Sequence, residues 1–194
     1  ALARPLGTAA RRLPAFAVPA AALLGGAAVV ATAALTGPGG PWPVLAALLY
    51  TATSALAVAR PLKGALDWLV PPVFRAAEYG TVLALAAVAG VNGALPAAFG
   101  LVAAVAYHHY DTVYRIRGDA GAPPAWLVRA IGGHEGRTLL VTVLAAALTA
   151  AQLTVALTVL AVAVALVVLA ESIRFWVAAH LGGAPAVHDE GEPA

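Results

Sequence analysis

Apolar residues run along this 194-residue chain in long uncharged blocks, separated by short clusters of charge, glycine and proline. A bilayer's hydrocarbon core is about 30 Å thick, so a helix rising about 1.5 Å per residue needs about 20 apolar residues to cross it. The first block, 15–36, carries no charge and stops at Gly37-Pro38-Gly39-Gly40-Pro41, which cannot continue a helix. The second, 43–60, lies between Trp42 and Arg60, an aromatic anchor opposite a charged one. Residues 60–72 mix Arg60, Lys63 and Asp67 with Leu62, Leu66, Trp68 and Leu69 and read as a short segment lying in the interface. Pro72 then suits the first position of a third span, 72–91, which turns at Asn92-Gly93. Pro96 opens a fourth, 96–115, ending before Gly118 and Gly121-Ala122-Pro123-Pro124. From Thr138 to Ala170 there are 33 residues without charge, glycine or proline, about 50 Å of helix and too long for one span. Splitting this run at Gln152, its one amide side chain, gives spans 134–151 and 153–179.

Charge sets the orientation, because lysine and arginine accumulate in cytoplasmic loops. The connections between spans one and two, three and four, and five and six hold no charged residue. All 11 basic residues, all 9 acidic ones and all 5 histidines fall on the other side. The expected fold is therefore all-α: an integral membrane six-helix bundle of three hairpins, one domain over 1–194, with both termini cytoplasmic. Small residues at four-residue spacing, such as Ala86, Gly90, Gly100 and Ala104, permit close helix approach, though an alanine-rich chain produces such spacings by chance as well.

Composition agrees. The chain is 62% hydrophobic and 10% charged, with a mean hydropathy of +0.89, against about 45–50% and about 25% in soluble domains. It has no glycine period, no polar tract and no cysteine, which excludes collagen-like, disordered and disulfide-stapled classes and any cysteine chemistry. Membrane lipids are the expected partners and nucleic acid is not. There is also no methionine, and His188-Asp189-Glu190-Gly191-Glu192 reads as an acidic tail, so the expectation is the C-terminal part of a longer chain. The single lysine among 11 basic residues suits a GC-rich genome.

Four helix ends pair an acid with a base close in sequence: Arg75 with Glu78, Asp111 with Arg115, Glu135 with Arg137, and Glu171 with Arg174. Ionisable groups at membrane depth are costly and usually face the bundle interior or a wet cavity. Short Glu78, Asp111 and Glu171 are expected to face inward and pair, whereas Arg117 and Arg174 reach the headgroups. The densest cluster is Tyr107-His108-His109-Tyr110-Asp111-Thr112-Val113-Tyr114-Arg115, richer than an aromatic belt requires. Gly132-Gly133-His134-Glu135-Gly136-Arg137 leads into a helix and offers either a phosphate cradle, from free N–H groups and Arg137, or a flexible elbow capped by Glu135. It lacks the lysine of a Walker loop. His108, Asp111, His134 and Glu135 form only a weak metal pattern, and Thr138 breaks the zincin spacing, so no metal site is assigned.

The stretches 107–115 and 132–140, with Phe74-Arg75-Ala76-Ala77-Glu78-Tyr79-Gly80 as a third block, resemble an actinobacterial membrane domain of unknown function. The likeness covers about residues 73–145. It implies a position C-terminal to a nucleotidyltransferase or CDP-alcohol phosphatidyltransferase module in the same chain, assigns no catalytic residues, and leaves any cofactor unknown. CDP-alcohol phosphatidyltransferases are similar in having six spans and a cytoplasmic site. Their signature aspartates are absent, since no two of Asp67, Asp111, Asp119 and Asp189 stand four apart. The resulting expectation is a cytoplasmic polar pocket for a phosphate-bearing headgroup or alcohol, serving polar-lipid synthesis. In it Arg75, Arg115 and Arg137 would hold phosphate with Glu78, Tyr107, Tyr110, Tyr114 and Glu171 around them, and His108, His109, Asp111, His134 and Glu135 are the catalytic candidates. The alternative is a non-enzymatic anchor or assembly domain whose polar residues lock helix ends together.

Overall fold

The computed structural model describes residues 14, 16–59 and 61–181. The basic residues Arg4, Arg11, Arg12 and Arg60 and the acidic stretch at 188–192 lie outside the described residues. What is described is all helical, with no strand: α1 (Ala17–Thr36), α2 (Trp42–Ala57), a 3-10 turn (Asp67–Leu69), α3 (Val70–Ala89), α4 (Ala94–Arg117), α5 (Ala125–Ile131), α6 (His134–Ala147) and α7 (Ala150–Leu181). Among the described residues, three segments are long and apolar enough to cross a membrane: α1, the turn with α3, and α7. At 16 and 14 residues, α2 and α6 are shorter than a full crossing.

Helix α3 begins two residues before Pro72, with Pro71 and Pro72 inside its first turn, where the missing N–H groups would have had no helical partner. It ends earlier than the Asn92-Gly93 turn, because Gly90 takes the left-handed conformation (φ 64°) that closes a helix. The break in the long apolar run falls at Leu148-Thr149, not at Gln152. Thr149 Oγ1 accepts from the Gln152 N–H at 3.3 Å while Gln152 Oε1 accepts from the Thr149 N–H at 3.1 Å. This reciprocal capping box starts α7, so the amide belongs to the new helix's first turn. Helix α5, absent from the expected spans, packs Leu127 and Ile131 against Val168 of α7.

Helix α3 is central, touching α1, α4 and α6; α1 also packs on α2, α2 on α6, and α4 along much of α7. One apolar core joins α3, α4, α6 and α7 through Leu85, Leu101, Val141, Leu153 and Leu157, and a second joins α1, α2 and α3 through Val18, Val29, Tyr50 and Phe74. The three uncharged turns gather at one end: the Gly39 N–H donates to Ala145 O at 2.8 Å, Gly37 abuts Val88, and Gly93 abuts Thr154. The charged side chains collect at the other end. Apolar residues remain on the outside, among them Leu24, Leu35, Val155, Val159 and Leu166, and of the three long apolar segments α7 has the highest hydropathy and is the least buried. An apolar exterior of this extent suits contact with lipid.

Of the small residues, Gly100 meets Ala161 of α7, and Ala86 and Ala104 are buried, while Gly90 serves as a cap. The closest approach lies elsewhere. A Cβ on Gly25 would overlap Thr53 Oγ1 of α2, and one on Gly26 would stand 3.1 Å from the Ala77 Cβ of α3, so this pair lets α1 nest between two helices. Gly25→Ala should lower the unfolding midpoint in detergent through overpacking worth roughly 1–3 kcal/mol. Adding Thr53→Ala should recover most of that loss, and a double variant no more stable than the single one would show that this contact does not set the spacing.

Candidate functional site

At the charged end, each buried cation is met by carboxylates from another helix. Arg137 of α6 donates from Nε and Nη2 to the two oxygens of Glu78 on α3, the second bond 3.0 Å long, and from Nη1 to the carbonyls of Ile131 and Gly132. Fork-to-fork pairing of this kind fixes orientation as well as charge. Arg115 of α4 donates to Glu171 of α7 from Nη1 at 3.1 Å and Nη2 at 2.8 Å, and its Nη2 is also 2.7 Å from Asp111 Oδ2. The Arg115 side chain is fully buried, with its guanidinium 3.9 Å over the Phe175 ring.

Asp111 Oδ1 accepts from Ser172 Oγ at 3.0 Å and from Trp176 Nε1 at 3.1 Å, and the Tyr107 hydroxyl lies 3.1 Å from the same serine. Tyr114 meets Trp176 edge-on, and the exposed Tyr110 stacks on Tyr114. The 107–115 cluster is thus anchored to the polar end of α7 through Ser172, Phe175 and Trp176, none of which was singled out from the sequence. Their signal is present, as a polar-aromatic run following the long apolar block.

Of the four acid–base pairs close in sequence, only Asp111 with Arg115 forms among the described residues; Glu78 and Glu171 turn to partners 59 and 56 positions away. Arg137 spends its donors on Glu78 and on loop carbonyls, and the Glu135 carboxylate folds back over Gly133, filling the space a Cβ would take. Negative charge at a helix N-terminus is favourable, so Glu135 already occupies the position an incoming phosphate would want.

The histidines are held differently. His109 Nδ1 lies 3.0 Å from the Tyr79 hydroxyl on α3, and His134 Nδ1 lies 2.8 Å from the Tyr50 hydroxyl on α2, with the His134 ring stacked on Phe74. His134 Nε2 is 3.4 Å from Glu135. His108 is buried, and its Nδ1 has no hydrogen-bond partner among the described residues. Arg75 is exposed and forms no ion pair among the described residues, one helical turn from Tyr79. His108, Asp111, His134 and Glu135 point to different neighbours, and no group of three His, Asp or Glu among the described residues is arranged to hold a metal ion.

The fold and this polar end define a class: a helical protein with, among the described residues, three helices apolar enough to span a membrane and ion pairs buried at one end. The chain belongs to the family of unknown function DUF5941, whose model matches residues 1–194, well beyond the three blocks that carried the resemblance. No curated protein and no solved structure matches it.

Two carboxylates share the one Arg115 guanidinium, which ranks the expected losses. Arg115→Leu leaves both acids buried without a counter-charge and should cost about 3–5 kcal/mol. Asp111→Asn leaves a complete Arg115–Glu171 pair and should cost about 1–3 kcal/mol. Unfolding curves of the full chain in detergent check the order, and an equal or larger loss for Asp111→Asn would contradict it.

Proposed function

We propose that this chain is an integral membrane domain of six spans, the short α2 and α6 crossing together with the flanking residues that lead into and out of them, with both termini and the charged end on the cytoplasmic face. That end presents a polar pocket to a phosphate-bearing lipid headgroup or alcohol handled by a nucleotidyltransferase or phosphatidyltransferase module in the same chain. The observation that carries the reading is Arg75, an exposed guanidinium one turn from the Tyr79–His109 pair. With Tyr79 donating to Nδ1, a neutral His109 carries its proton on Nε2 and offers a donor beside Arg75, a suitable pair for phosphate oxygens. His134, next to Glu135, is then the group suited to orient or deprotonate a hydroxyl. Arg115, Arg137, Glu78, Asp111 and Glu171 hold the helix ends around this pocket.

A second reading, a non-enzymatic anchor or assembly domain, draws on one specific observation: Arg115 and Arg137, two of the three arginines suited to phosphate, are already paired with carboxylates.

Arg75→Gln and His109→Gln in the full protein separate the two. Under the pocket reading each lowers polar-lipid synthesis in cells about tenfold or more, while protein level and unfolding midpoint stay normal. Unchanged lipid output would favour the anchor. Topology is tested independently, since the chain contains no cysteine. Single cysteines at Gly39 and Gly93 should react with a membrane-impermeant maleimide on intact cells, and one at Gly118 only after permeabilisation. Labelling of positions 93 and 118 from the same side would overturn the six-span reading.

A further inference from the structure

Helix α7 has two working faces. Leu153, Leu157, Ala161, Val168 and Ser172 are buried, several of them in the core shared with α4. Beside them runs a second stripe, Leu160, Ala163, Val164, Val167, Ala170, Glu171 and Arg174, at helical spacing. Along this stripe lie two depressions. The deeper one, about 190 Å³, is walled by Leu101 of α4, Leu140 and Val141 of α6 and Ile131 of α5, with Arg137 its one charged lining residue. The shallower one, about 510 Å³, is bounded by Trp126 of α5 and by Leu166, Ala170, Glu171 and Arg174. Both include Val167, and they flank the place where α5 rests on α7.

We propose that this track binds one acyl chain of an anionic phospholipid, with the headgroup phosphate at Arg174 and the chain running past Val167 toward Leu160. Three observations converge on that occupant. The deep part is lined almost wholly by apolar side chains and exceeds the roughly 150 Å³ apolar cavity that takes up benzene. From Leu160 to Arg174 the stripe rises about 21 Å at about 1.5 Å per residue, matching the roughly 15 Å of one leaflet's hydrocarbon and the headgroup layer beyond it. At its polar end stand an exposed guanidinium, with no ion pair among the described residues, and an interfacial tryptophan. Glu171 lines the same end, but both of its oxygens accept from Arg115. The site is separate from the Arg75–His109 pocket and rests only on the membrane reading, which the cysteine labelling tests by itself.

The test reconstitutes the full chain in nanodiscs doped with phosphatidylglycerol or phosphatidylcholine carrying a diazirine near the end of one acyl chain. After photolysis, labelled positions are mapped by mass spectrometry. Leu140, Leu160 and Val164 should be labelled in excess over Val162 and Leu169, α7 positions outside the track. Ala163→Phe fills the deep part and should remove that excess, with Ala163→Leu as the milder variant if the larger ring lowers the unfolding midpoint. Arg174→Gln should reduce the preference for phosphatidylglycerol about fivefold, the factor one cation beside an anionic headgroup contributes. Equal labelling of track and control positions, or an excess that survives both fillings, would reduce the track to ordinary annular lipid and overturn the proposal. So would equal labelling by the two lipids with no response to Arg174→Gln.

Discussion

A guanidinium buried away from water must find its counter-charges inside the protein, and the arrangement of this molecule follows from where Arg115 and Arg137 find theirs. Arg115 ties α4 to α7 through Glu171, and Arg137 ties α6 to α3 through Glu78. In the proposed membrane setting apolar packing alone would specify these pairings weakly, because helices surrounded by lipid gain nothing by exchanging lipid for another apolar surface. A bidentate ion pair discriminates sharply: rotating either helix by one residue, about 100°, separates the fork from its carboxylate. The uncharged end lacks such pairs and is drawn together by the Gly39 to Ala145 hydrogen bond and by turns short enough to force neighbouring helices side by side.

Most of the helices were legible as apolar blocks between breakers, for a physical reason. Glycine and proline punctuate the chain where backbone groups leave the helical pattern, and the blocks between them have no other way to satisfy their hydrogen bonds away from water. The division of the long 138–170 run was misplaced because a lone Gln152 was read as a polar interruption. Paired with Thr149 three residues earlier it is a capping box, a signal that belongs to the spacing and not to either residue. Helix α5 escaped because seven residues between a proline pair and two glycines are too few for a periodic pattern. Only its packing on Val168 shows that Leu127 and Ile131 form a face.

The site was legible as an inventory and not as a wiring scheme. Glu78, Asp111, Arg115, Arg137 and Glu171 were picked out because charge is rare in this chain, and all of them are buried. Asp111 and Arg115 do pair as their spacing indicates, but the partners of Glu78, Arg137 and Glu171 were misread because pairing was sought within a few residues, where an exposed pair is worth only about 0.2–0.5 kcal/mol. A buried charge is under far stronger pressure, and it accepts a partner from any helix that brings a well-oriented one. Ser172, Phe175 and Trp176 passed unnoticed for a related reason: next to Glu171 they look like the start of an interfacial belt, and only the approach of α4 turns them into ligands of Asp111 and a platform for Arg115.

Glu171 links the two faces of α7. Left unpaired, its carboxylate three residues from Arg174 would repel an anionic headgroup and compete for that arginine. Engaged by both Nη atoms of Arg115, it contributes little free negative charge to the lipid track. The α4–α7 lock is then a condition for the cationic end of the track as well as a structural tie, because Arg174 is left for phosphate only while Arg115 holds Glu171.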